Sequence, residues 1–527
     1  MKLKDLSLRE KVYQTIITHA IDLNSMETPE AFIEKYPVGG FYFSKGSMPD
    51  LVEANEGEAS ITQAFMKRCR AAAKYPLLVC ADGANIDDDG LQVPDFDALG
   101  AADSEELAYE CGKALGMQMN YNDIDWILAP AIDMPMFRCV DTVSAAMSDD
   151  PELTAKLYTQ VVKGIQDQNV AATVKHFPGI GTHHVNMHIA PGHNVFEFDK
   201  WMETYGYTYK EMFKAGAMCT MTSHITLKSF SEKSDYGDEP IATFSKDLTI
   251  GLLKEKLGFD GVVVTDALTM GGCGLEDQVE QAVASFACGA DLLLWPPLEA
   301  GDRIVEEIEK GNIPMERLDD ALERIQLFRE RLGMTDTDRE KKAVDKKSVD
   351  DTFRKIIEDG ITLIRNEKGN LPLASDRKKV FISVIAPDSK LLRIDDKMKA
   401  AELFADILNK NGFETKLEFN HVCFRQDWID KEVPKYDYFI FILSTPFCVG
   451  QFRECFNSAW TVHQYPAAKK IVLNFSTPFF IDDYYPNEKT FVQVNSQLNE
   501  ESVVAVADAI LGKAPMTGKL AMKSVKI

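Results

Sequence analysis

The stretch "GFDGVVVTDALTM" (258–270) contains the pattern that decides the fold. Its four consecutive apolar or β-branched residues, 262–265, are typical of a short strand buried on both faces. Asp266 follows directly, so a carboxylate stands at the C-terminal end of the predicted strand. This arrangement predicts one strand of a parallel sheet whose polar end faces a ligand-binding edge.

The same pattern recurs six times elsewhere in the first two thirds of the chain. These further runs are 39–44, 76–82, 124–133, 170–177, 217–224 and 290–297. Helix-like stretches such as 104–119 and 150–168 lie between most of them. The alternation predicts an α/β fold, and seven strands of this kind favour a (β/α)₈ TIM-type barrel. An open doubly wound sheet is the alternative, and the eighth strand has no clear signal.

Ionisable side chains stand at the C-terminal end of five of the seven runs. They are Asp82, Asp133, the pair Lys175 and His176, His224, and Asp266. In a barrel the C-terminal ends of the strands converge on one mouth, where active sites are built. A single such residue is usually a turn or helix cap, but five strand ends together favour a functional site.

The composition changes after residue 334. The stretch 335–352 is charged and poor in apolar residues, and we interpret it as a linker or connecting helix between a barrel domain, 1–334, and a second domain, 353–527. Strand-like and helix-like stretches alternate again in the second domain, which predicts a smaller α/β/α sandwich. Its sequence contains no glycine-rich phosphate-binding motif.

The overall composition excludes several classes of partner. The net charge of −24, from 58 basic and 82 acidic residues, disfavours binding to nucleic acid or to an anionic membrane surface. No run of about 18 apolar residues predicts a membrane span. The ten cysteines show no CxxC pair, and the first residues show no apolar leader, so we expect reduced thiols and a cytoplasmic protein.

Asp266 has three interpretations on local pattern alone. It can cap a helix that begins near Ala267, bind a metal ion, or act as a nucleophile or base. A carboxylate at the end of a buried strand is desolvated, which is costly unless the group is paired or used. The other polar strand ends favour the chemical role, and a carboxylate nucleophile suits cleavage of a glycosidic bond.

Three motifs together carry a resemblance to a known family. They are "KHFPGIGTHHVNMH" (175–188), "MTSHI" (221–225) and "LKEKLGFDGVVVTDALTM" (253–270). They resemble glycoside hydrolase family 3, and within it the β-N-acetylhexosaminidase branch. The stretches 6–14, 126–134, 148–157 and 512–522 also resemble that family. The resemblance implies an exo-acting β-glycosidase without cofactor or metal, a β-linked amino sugar or hexoside as substrate, and a monomer or homodimer.

The resemblance also implies roles for individual residues. Asp266, after the sixth of the seven predicted strands, would be the nucleophile of a retaining mechanism with a covalent glycosyl-enzyme. His188 would be the acid/base, supported by the residue at position 186. Lys175, His176 and Asp82 would hold the terminal sugar, and we expect His224 and Asp133 to bind substrate with them.

The sequence departs from the family pattern at several positions. Asn186 stands where the branch has an aspartate, and an amide can orient the His188 ring but cannot stabilise an imidazolium by charge. The other departures are Ile180, Thr182, the run "DGANI" (82–86), and Gly90 and Ala145 in place of two arginines. These changes predict either a pocket adapted to another sugar or a weakly active, even non-catalytic, sugar-binding protein.

Further alternatives follow from those departures. His183, His184 or one of Asp87, Asp88 and Asp89 can take over a lost role, and His183, His184 and His188 can be read as metal ligands. A histidine acid/base carries no negative charge when deprotonated, so phosphate is a possible acceptor and phosphorolysis an alternative to hydrolysis. A β-glucosidase would take its acid from the second domain, where Glu454 is the candidate.

Overall fold

We describe the molecule from a computed structural model. The structure describes residues 3–20, 22, 28–43, 61–82, 95–138, 146–230, 240–274, 277–334, 345–386, 394–420, 426–445 and 459–527. The chain forms two compact units. The first consists of Met1–Val93, Ala108–Phe137 and Ala155–Asp350, and the second of Pro94–Leu107, Arg138–Thr154 and Asp351–Ile527. Among the described helices, none is long and apolar enough to cross a membrane.

Ten strands lie in the described part of the first unit. They are β1 (Ile16–His19), β2 (Gly40–Tyr42), β3 (Leu78–Ala81), β4 (Trp126–Ile127), β5 (Ala171–Phe177), β6 (Gly192–Asn194), β7 (Cys219–Thr222), β8 (Ile225–Leu227), β9 (Val262–Thr265) and β10 (Leu293–Leu294). Eight are parallel in the order β10-β1-β2-β3-β4-β5-β7-β9, and β6 pairs with β8. A bridge between Val264 and Leu292 joins β9 to the start of β10. The sheet is therefore a nearly closed barrel, as predicted.

The barrel strand that sequence analysis missed is β1. It pairs with both β10 and β2, so it completes the ring. The β-branched run 15–18 is its only sequence signal, and it is too short to be told from the end of the preceding helix. Because β1 comes first, every later strand moves up by one, and Asp266 follows the seventh barrel strand rather than the sixth.

Helices cover the outside of this barrel. The helical segments are Leu8–Tyr13, Pro29–Lys35, Ile61–Ala72, Glu105–Tyr121, Pro151–Gln166, Phe198–Glu203, Tyr205–Lys214, Asp247–Lys256, Gln278–Ala287, Ala300–Glu309 and Met315–Arg331. Asp247–Lys256 is a π-helix, and the segments Leu3–Asp5, Ala242–Phe244 and Gly271–Cys273 are 3₁₀ turns. The barrel strands are buried almost throughout, which explains their continuous apolar sequences.

Carboxylates at the N-terminal ends of the strands have a structural role. Asp291, just before β10, accepts a hydrogen bond from Val263 N and binds Lys254 and Arg317, each at 2.8 Å. Asp125, just before β4, binds Arg70 at 2.7 Å in the same way. These buried charges are paired, so this end of the barrel contributes to stability rather than chemistry.

The second unit contains a six-stranded sheet. Its strands are β11 (Thr362–Asn366), β12 (Lys379–Ile385), β13 (Glu414–Phe419), β14 (Tyr438–Leu443), β15 (Lys470–Asn474) and β16 (Thr490–Gln493). Their order is β11-β16-β15-β14-β12-β13. Only β11 is antiparallel, and sequence analysis missed it. Its helical segments are Phe96–Ala102, Lys346–Gly360, Ile394–Lys410, Gln426–Glu432, Val433–Lys435, Phe480–Asp483 and Glu500–Ile510.

Side chains of β14 alternate between two cores. Ile440 and Ile442 pack with aliphatic residues on one face, and Phe439 and Phe441 pack with aromatic residues on the other. A strand buried on both faces reads as a continuous apolar run, which the sequence shows at 438–443. Both faces of the sheet are covered, so the predicted α/β/α sandwich is confirmed.

Two segments from the first third of the chain belong to this second unit. Within it, Ser148 Oγ donates a hydrogen bond to Ala521 O at 2.5 Å. Asp149 accepts hydrogen bonds from the backbone of Lys523 and Ser524 at 2.6 and 2.8 Å. The composition of these two segments does not indicate that they belong to the second unit, because such contacts join residues far apart in the sequence.

Candidate active site

Lys175 and Asp82 form an ion pair at the C-terminal ends of β5 and β3. Lys175 Nζ lies 2.8 Å from Asp82 Oδ1, and the Tyr42 hydroxyl donates to Asp82 Oδ2 at 3.0 Å. Desolvation alone would raise the pKa of Asp82, but the Lys175 ammonium and these hydrogen bonds hold it below its ordinary value. The pair therefore presents one fixed cation and one fixed anion at the barrel mouth.

His176 is oriented by Asp133. His176 Nδ1 lies 2.6 Å from Asp133 Oδ2, and the backbone N–H of Ile180 donates to Asp133 Oδ1 at 2.7 Å. The Asp133 carboxylate is buried and also accepts from the backbone N–H of His176. Asp133 thus holds the ring and the start of the following loop, so Nε2 of His176 is the nitrogen turned to the centre of the mouth.

Asp266 lies next to that nitrogen. Its Oδ2 is 4.0 Å from His176 Nε2, and its Oδ1 accepts a hydrogen bond from Ala267 N at 2.8 Å. Asp266 is only 4% exposed, and Oδ2 has no hydrogen-bond partner among the described residues. A buried carboxylate oxygen without a partner is costly, which makes Asp266 a candidate for a chemical role.

No helix begins near Ala267, so the capping interpretation of Asp266 is wrong. A turn and the 3₁₀ segment Gly271–Cys273 follow the strand, and the next α-helix begins at Gln278. That helix is capped by Asp277, whose side chain accepts from Val279 N and Glu280 N. The metal-ligand interpretation gains no support, since no three His, Cys, Asp or Glu side chains converge within the described part of the chain.

His224 is completely buried behind the Asp266 turn. Its Nε2 lies 3.1 Å from Ala267 O, and its Nδ1 lies 2.9 Å from the Thr243 hydroxyl. Burial lowers the pKa of His224, and the nearby His176 and His188 rings lower it further against the effect of Asp266. The ring is therefore neutral, and because a carbonyl only accepts, Nε2 carries the proton. His224 and Asp266 hold the two ends of one residue, Ala267.

His188 and Asn186 are in contact on the loop after β5. The Asn186 side-chain oxygen lies 2.8 Å from His188 Nδ1 and accepts from His188 N at 2.8 Å. An amide oxygen only accepts, so Nδ1 carries a proton and Nε2 is the nitrogen available for proton exchange. The predicted contact between these two residues is present, although without a carboxylate.

The loop that carries His188 packs against two glycines that follow Asp266. The backbone N–H of Gly271 donates to His188 O at 3.0 Å. A Cβ added at Gly272 would lie 2.1 Å from Met187 O and 3.0 Å from the Cβ of His224. The His188 loop therefore rests on the segment that follows Asp266, and only glycine permits this close approach.

We expect Gly272→Ala to displace the His188 loop. The added methyl group meets the Met187 carbonyl, and overpacking of this kind costs about 1–3 kcal/mol. Thermal unfolding should occur at least a few degrees lower than in the native protein. Gly251→Ala is the matched control, because nothing lies within 4 Å of its added Cβ. Equal unfolding temperatures for the two variants would contradict the tight contact.

The remaining loop histidines form a cluster of their own. His183 stacks on His184 at 4.4 Å between ring centroids and meets His193 edge-on at 5.2 Å. Desolvation and the two neighbouring rings lower the pKa of His183. The other residues considered as substitutes or departures, namely Asp87, Asp88, Asp89, Gly90, Ala145 and Glu454, lie outside the described residues.

Sequence analysis missed several residues of this site. Tyr42 ends β2 in the run 39–44, and Trp295 follows β10 in the run 290–297. The expectation that residues at the C-terminal ends of strands form the site, called the strand-end rule below, could therefore have found both aromatic side chains. Thr243 and Cys273, whose sulfur lies 3.4 Å from His224 Nε2, have no such signal. Their contacts depend on how loops from distant parts of the chain pack.

Related sequences point to one family. The domain described as "Glycosyl hydrolase family 3 N terminal domain" matches residues 7–328. A β-N-acetylglucosaminidase/β-glucosidase from Cellulomonas fimi is 26% identical over 397 residues, which cover 71% of this chain and 69% of the relative. A β-hexosaminidase from Tolumonas auensis is 28% identical over 249 residues, 46% of this chain and 72% of the relative.

Solved structures agree with the sequence matches. A glycoside hydrolase family 3 β-N-acetylglucosaminidase from Paenibacillus sp. superimposes with a TM-score of 0.81 at 24% identity, covering 99% of this chain and all of the other. The β-glucoside phosphorylase BglX gives 0.84 at 25% identity, with 99% and 94% covered. Since the matched domain spans more than half of the chain, this protein belongs to glycosyl hydrolase family 3 and is a glycosidase.

Proposed function

We propose that the protein is a retaining exo-β-glycosidase that removes a terminal β-linked sugar, with N-acetylhexosamine as the first candidate sugar and glucose as the second. The observation that carries the proposal is the unpartnered Oδ2 of Asp266, buried at the mouth beside His176. The relatives named as β-N-acetylglucosaminidases and β-hexosaminidases support the choice of sugar.

In the proposed first step, Asp266 Oδ2 attacks the anomeric carbon while the bond to the leaving oxygen breaks. His188 Nε2 donates its proton to that oxygen, which leaves a neutral imidazole and a covalent glycosyl-enzyme. In the second step the same nitrogen takes a proton from water as the water oxygen attacks the anomeric carbon. Asp266 is released and His188 is protonated again, so both groups are regenerated.

The surrounding residues support this chemistry without reacting. Lys175 and Asp82 offer a donor and an acceptor to sugar hydroxyls, and His176 offers its Nε2. We propose that Asp133 and His224 act as positioning residues rather than direct sugar contacts, because the hydrogen bonds of both point to protein groups. Asp133 sets the His176 ring, and His224 sets the Ala267 peptide to which Asp266 is bonded.

A panel of aryl β-glycosides tests the proposal. It should include N-acetylglucosaminides, glucosides and other hexosides, with retention or inversion at the anomeric carbon followed by NMR. We expect turnover of at least one β-glycoside, with the β-anomer formed first. Inversion would reject the mechanism, and no turnover of any member would favour a sugar-binding protein without catalysis.

Phosphorolysis is a second candidate, favoured by one specific feature. Asn186 brings no negative charge to the pair with His188, so the acid/base loop repels an anionic acceptor less than a carboxylate pair would. A structural relative is named a β-glucoside phosphorylase. In phosphorolysis, a phosphate oxygen replaces water in the second step, and the product is a sugar 1-phosphate. Repeating the panel with inorganic phosphate distinguishes the two outcomes by that product.

Asn186→Asp should increase hydrolysis. The new carboxylate would lie where the amide oxygen is 2.8 Å from His188 Nδ1, and it would stabilise the imidazolium by charge. We expect kcat/KM for unactivated glycosides to rise about 10-fold, since the reverse exchange in a serine-protease triad costs about 10⁴. The basic limb of the pH profile should move to higher pH, because the protonated acid persists longer. An unchanged profile would show that position 186 does not support His188.

The cysteines bear on where the protein works. The six cysteines in the described part of the chain are free and buried. Burial raises the pKa of the Cys111 and Cys273 thiols to about 12, so these groups stay protonated. Because free cysteines are typical of reducing compartments, we propose that the protein works in one such as the cytoplasm, which measurement of the thiol state in the native protein would test.

A further inference from the structure

A cleft beside the Asp266 turn has no role in the chemistry described above. Its volume is about 340 Å³, which falls in the range of small-molecule sites. It lies at the ends of β1 and β10, and its wall includes Thr269, three residues after Asp266. Leu268 N donates to Leu294 O at 3.0 Å, so the turn that bears Asp266 is tied to the strand that ends at the cleft.

One wall of the cleft is a supported aromatic surface. The Trp295 ring meets Tyr42 edge-on at 4.8 Å and His19 at 5.0 Å between centroids. Pro296 and Pro297 extend the wall. Such a rigid apolar surface suits one face of a sugar ring, because little side-chain freedom is lost on binding.

The backbone of Trp295 supports a functional role for that wall. Its φ is +56°, in the left-handed region that bulky residues avoid. The conformation is held by the hydrogen bond from Trp295 N to Ile17 O at 2.9 Å. A strained bulky residue that the surroundings keep in place is characteristic of ligand sites rather than of ordinary connections.

The cleft is also connected to the residues that hold the terminal sugar. Tyr42 packs against Trp295 with its ring, and its hydroxyl donates to Asp82. Asp82 is in turn paired with Lys175. Tyr42 therefore contacts both the sugar-holding pair and the aromatic wall of the cleft, which places an occupant of the cleft beside the residues that hold the reacting sugar.

The charges around the cleft define the kind of occupant. Asp22 and Glu299 are lining residues, and no Lys or Arg is among the described lining residues. Burial lowers the pKa of His19, so its ring is neutral near pH 7. The described lining residues therefore carry a net negative charge, which favours hydroxyl or ammonium groups and opposes a carboxylate or phosphate.

We propose that this cleft is a leaving-group subsite, which binds an uncharged or cationic second sugar on Trp295 and rejects an anionic one. The inference rests on the proposed glycosidase function, since a leaving group exists only where a glycosidic bond is cleaved. It adds a specificity that the chemistry at Asp266 does not by itself determine.

Equilibrium binding of non-hydrolysable ligands tests the subsite without turnover. The probes are thiocellobiose and thiochitobiose, each compared with the methyl 1-thio-β-glycoside of the same terminal sugar. We expect at least one disaccharide to bind the native protein 10-fold or more tightly than its methyl partner. In Trp295→Ala the ratio of the two affinities should fall below about 2-fold, because the methyl glycoside lacks the second sugar that Trp295 is proposed to contact. Equal weakening of both ligands, or no disaccharide advantage in the native protein, would overturn the proposal.

The charge preference needs a second variant, which changes an exposed side chain and so preserves folding. Glu299→Gln should improve binding of a thio-disaccharide whose second sugar is glucuronic acid by about 3-fold, and leave the neutral disaccharide unchanged. Glu316→Gln is the matched control, because Glu316 is also exposed but is not among the cleft residues. The same improvement in both variants would mean that the net charge of the protein controls binding rather than the charge in the cleft. That result would reject the proposed charge preference of the subsite.

These results are separable from those of the proposed function. If no aryl glycoside is turned over but the thio-disaccharide advantage depends on Trp295, the catalytic proposal fails and the second sugar site stands. If turnover occurs with retention but Trp295→Ala leaves the disaccharide advantage intact, the catalytic proposal stands and the subsite is rejected.

Discussion

Asp266→Asn should abolish turnover, with a loss in kcat of about 10⁴-fold or more, as expected when the nucleophile of a covalent mechanism is removed. The amide has nearly the same shape as the carboxylate, and its oxygen can still accept from Ala267 N, so the fold should be preserved. What is lost is the negative oxygen at the position of Oδ2, which has no partner among the described residues. Activity is measured on the most reactive aryl β-glycoside of the panel.

A second measurement identifies the lost step. Incubation with a slow 2-fluoro glycoside should add one sugar mass to the native protein at Asp266 and none to the variant. Asp260→Asn is the matched control, because Asp260 is exposed and precedes the N-terminal end of the same strand. Full activity in Asp266→Asn, or a labelled peptide that does not contain Asp266, would reject the assignment.

His188→Ala should reduce kcat/KM by about 10²–10⁴-fold for glycosides with poor leaving groups. The reason is that an alkoxide leaving without a proton is far less stable than an alcohol. For dinitrophenyl glycosides the loss in the first step should be small, since that leaving group needs no proton. The variant is therefore recognised by a steep dependence of rate on the leaving-group pKa, measured across a series of aryl glycosides.

His184→Ala is the control for this prediction. Its ring is exposed on the same loop and stacks on His183. We expect its leaving-group dependence to match that of the native protein. If His184→Ala shows the steep dependence and His188→Ala does not, the acid/base role belongs to the histidine cluster instead.

Much of the fold was predictable because burial on both faces of a parallel strand imposes a continuous apolar sequence. The run 262–265 and its six counterparts all became strands of the barrel. The missed strands β1 and β11 have a mixed composition. Only Ile16 and Ile17 of β1 and Leu363 and Ile364 of β11 are apolar, so neither strand carries a strong apolar run.

The sequence predicted which residues meet at the candidate site but not how their side chains are arranged. The strand-end rule places Lys175, His176 and Asp266 at one mouth whatever their partners are. The rule does not show that Asp133 orients His176, nor that His224 faces Ala267 rather than the open mouth. Those distinctions depend on which hydrogen bonds each buried group finds, and the partners come from different loops.

The sequence by itself determined that this chain forms a parallel barrel with a histidine loop after one strand and a carboxylate after another. The reason is that a buried strand requires a local run of apolar residues, and the polar residues at its end follow directly in the sequence. Only the tertiary structure decided which residues act and which position them. It placed the His188 loop on Gly271 and Gly272, and left Oδ2 of Asp266 without a partner among the described residues. Contacts between loops depend on three-dimensional packing, which no local pattern encodes.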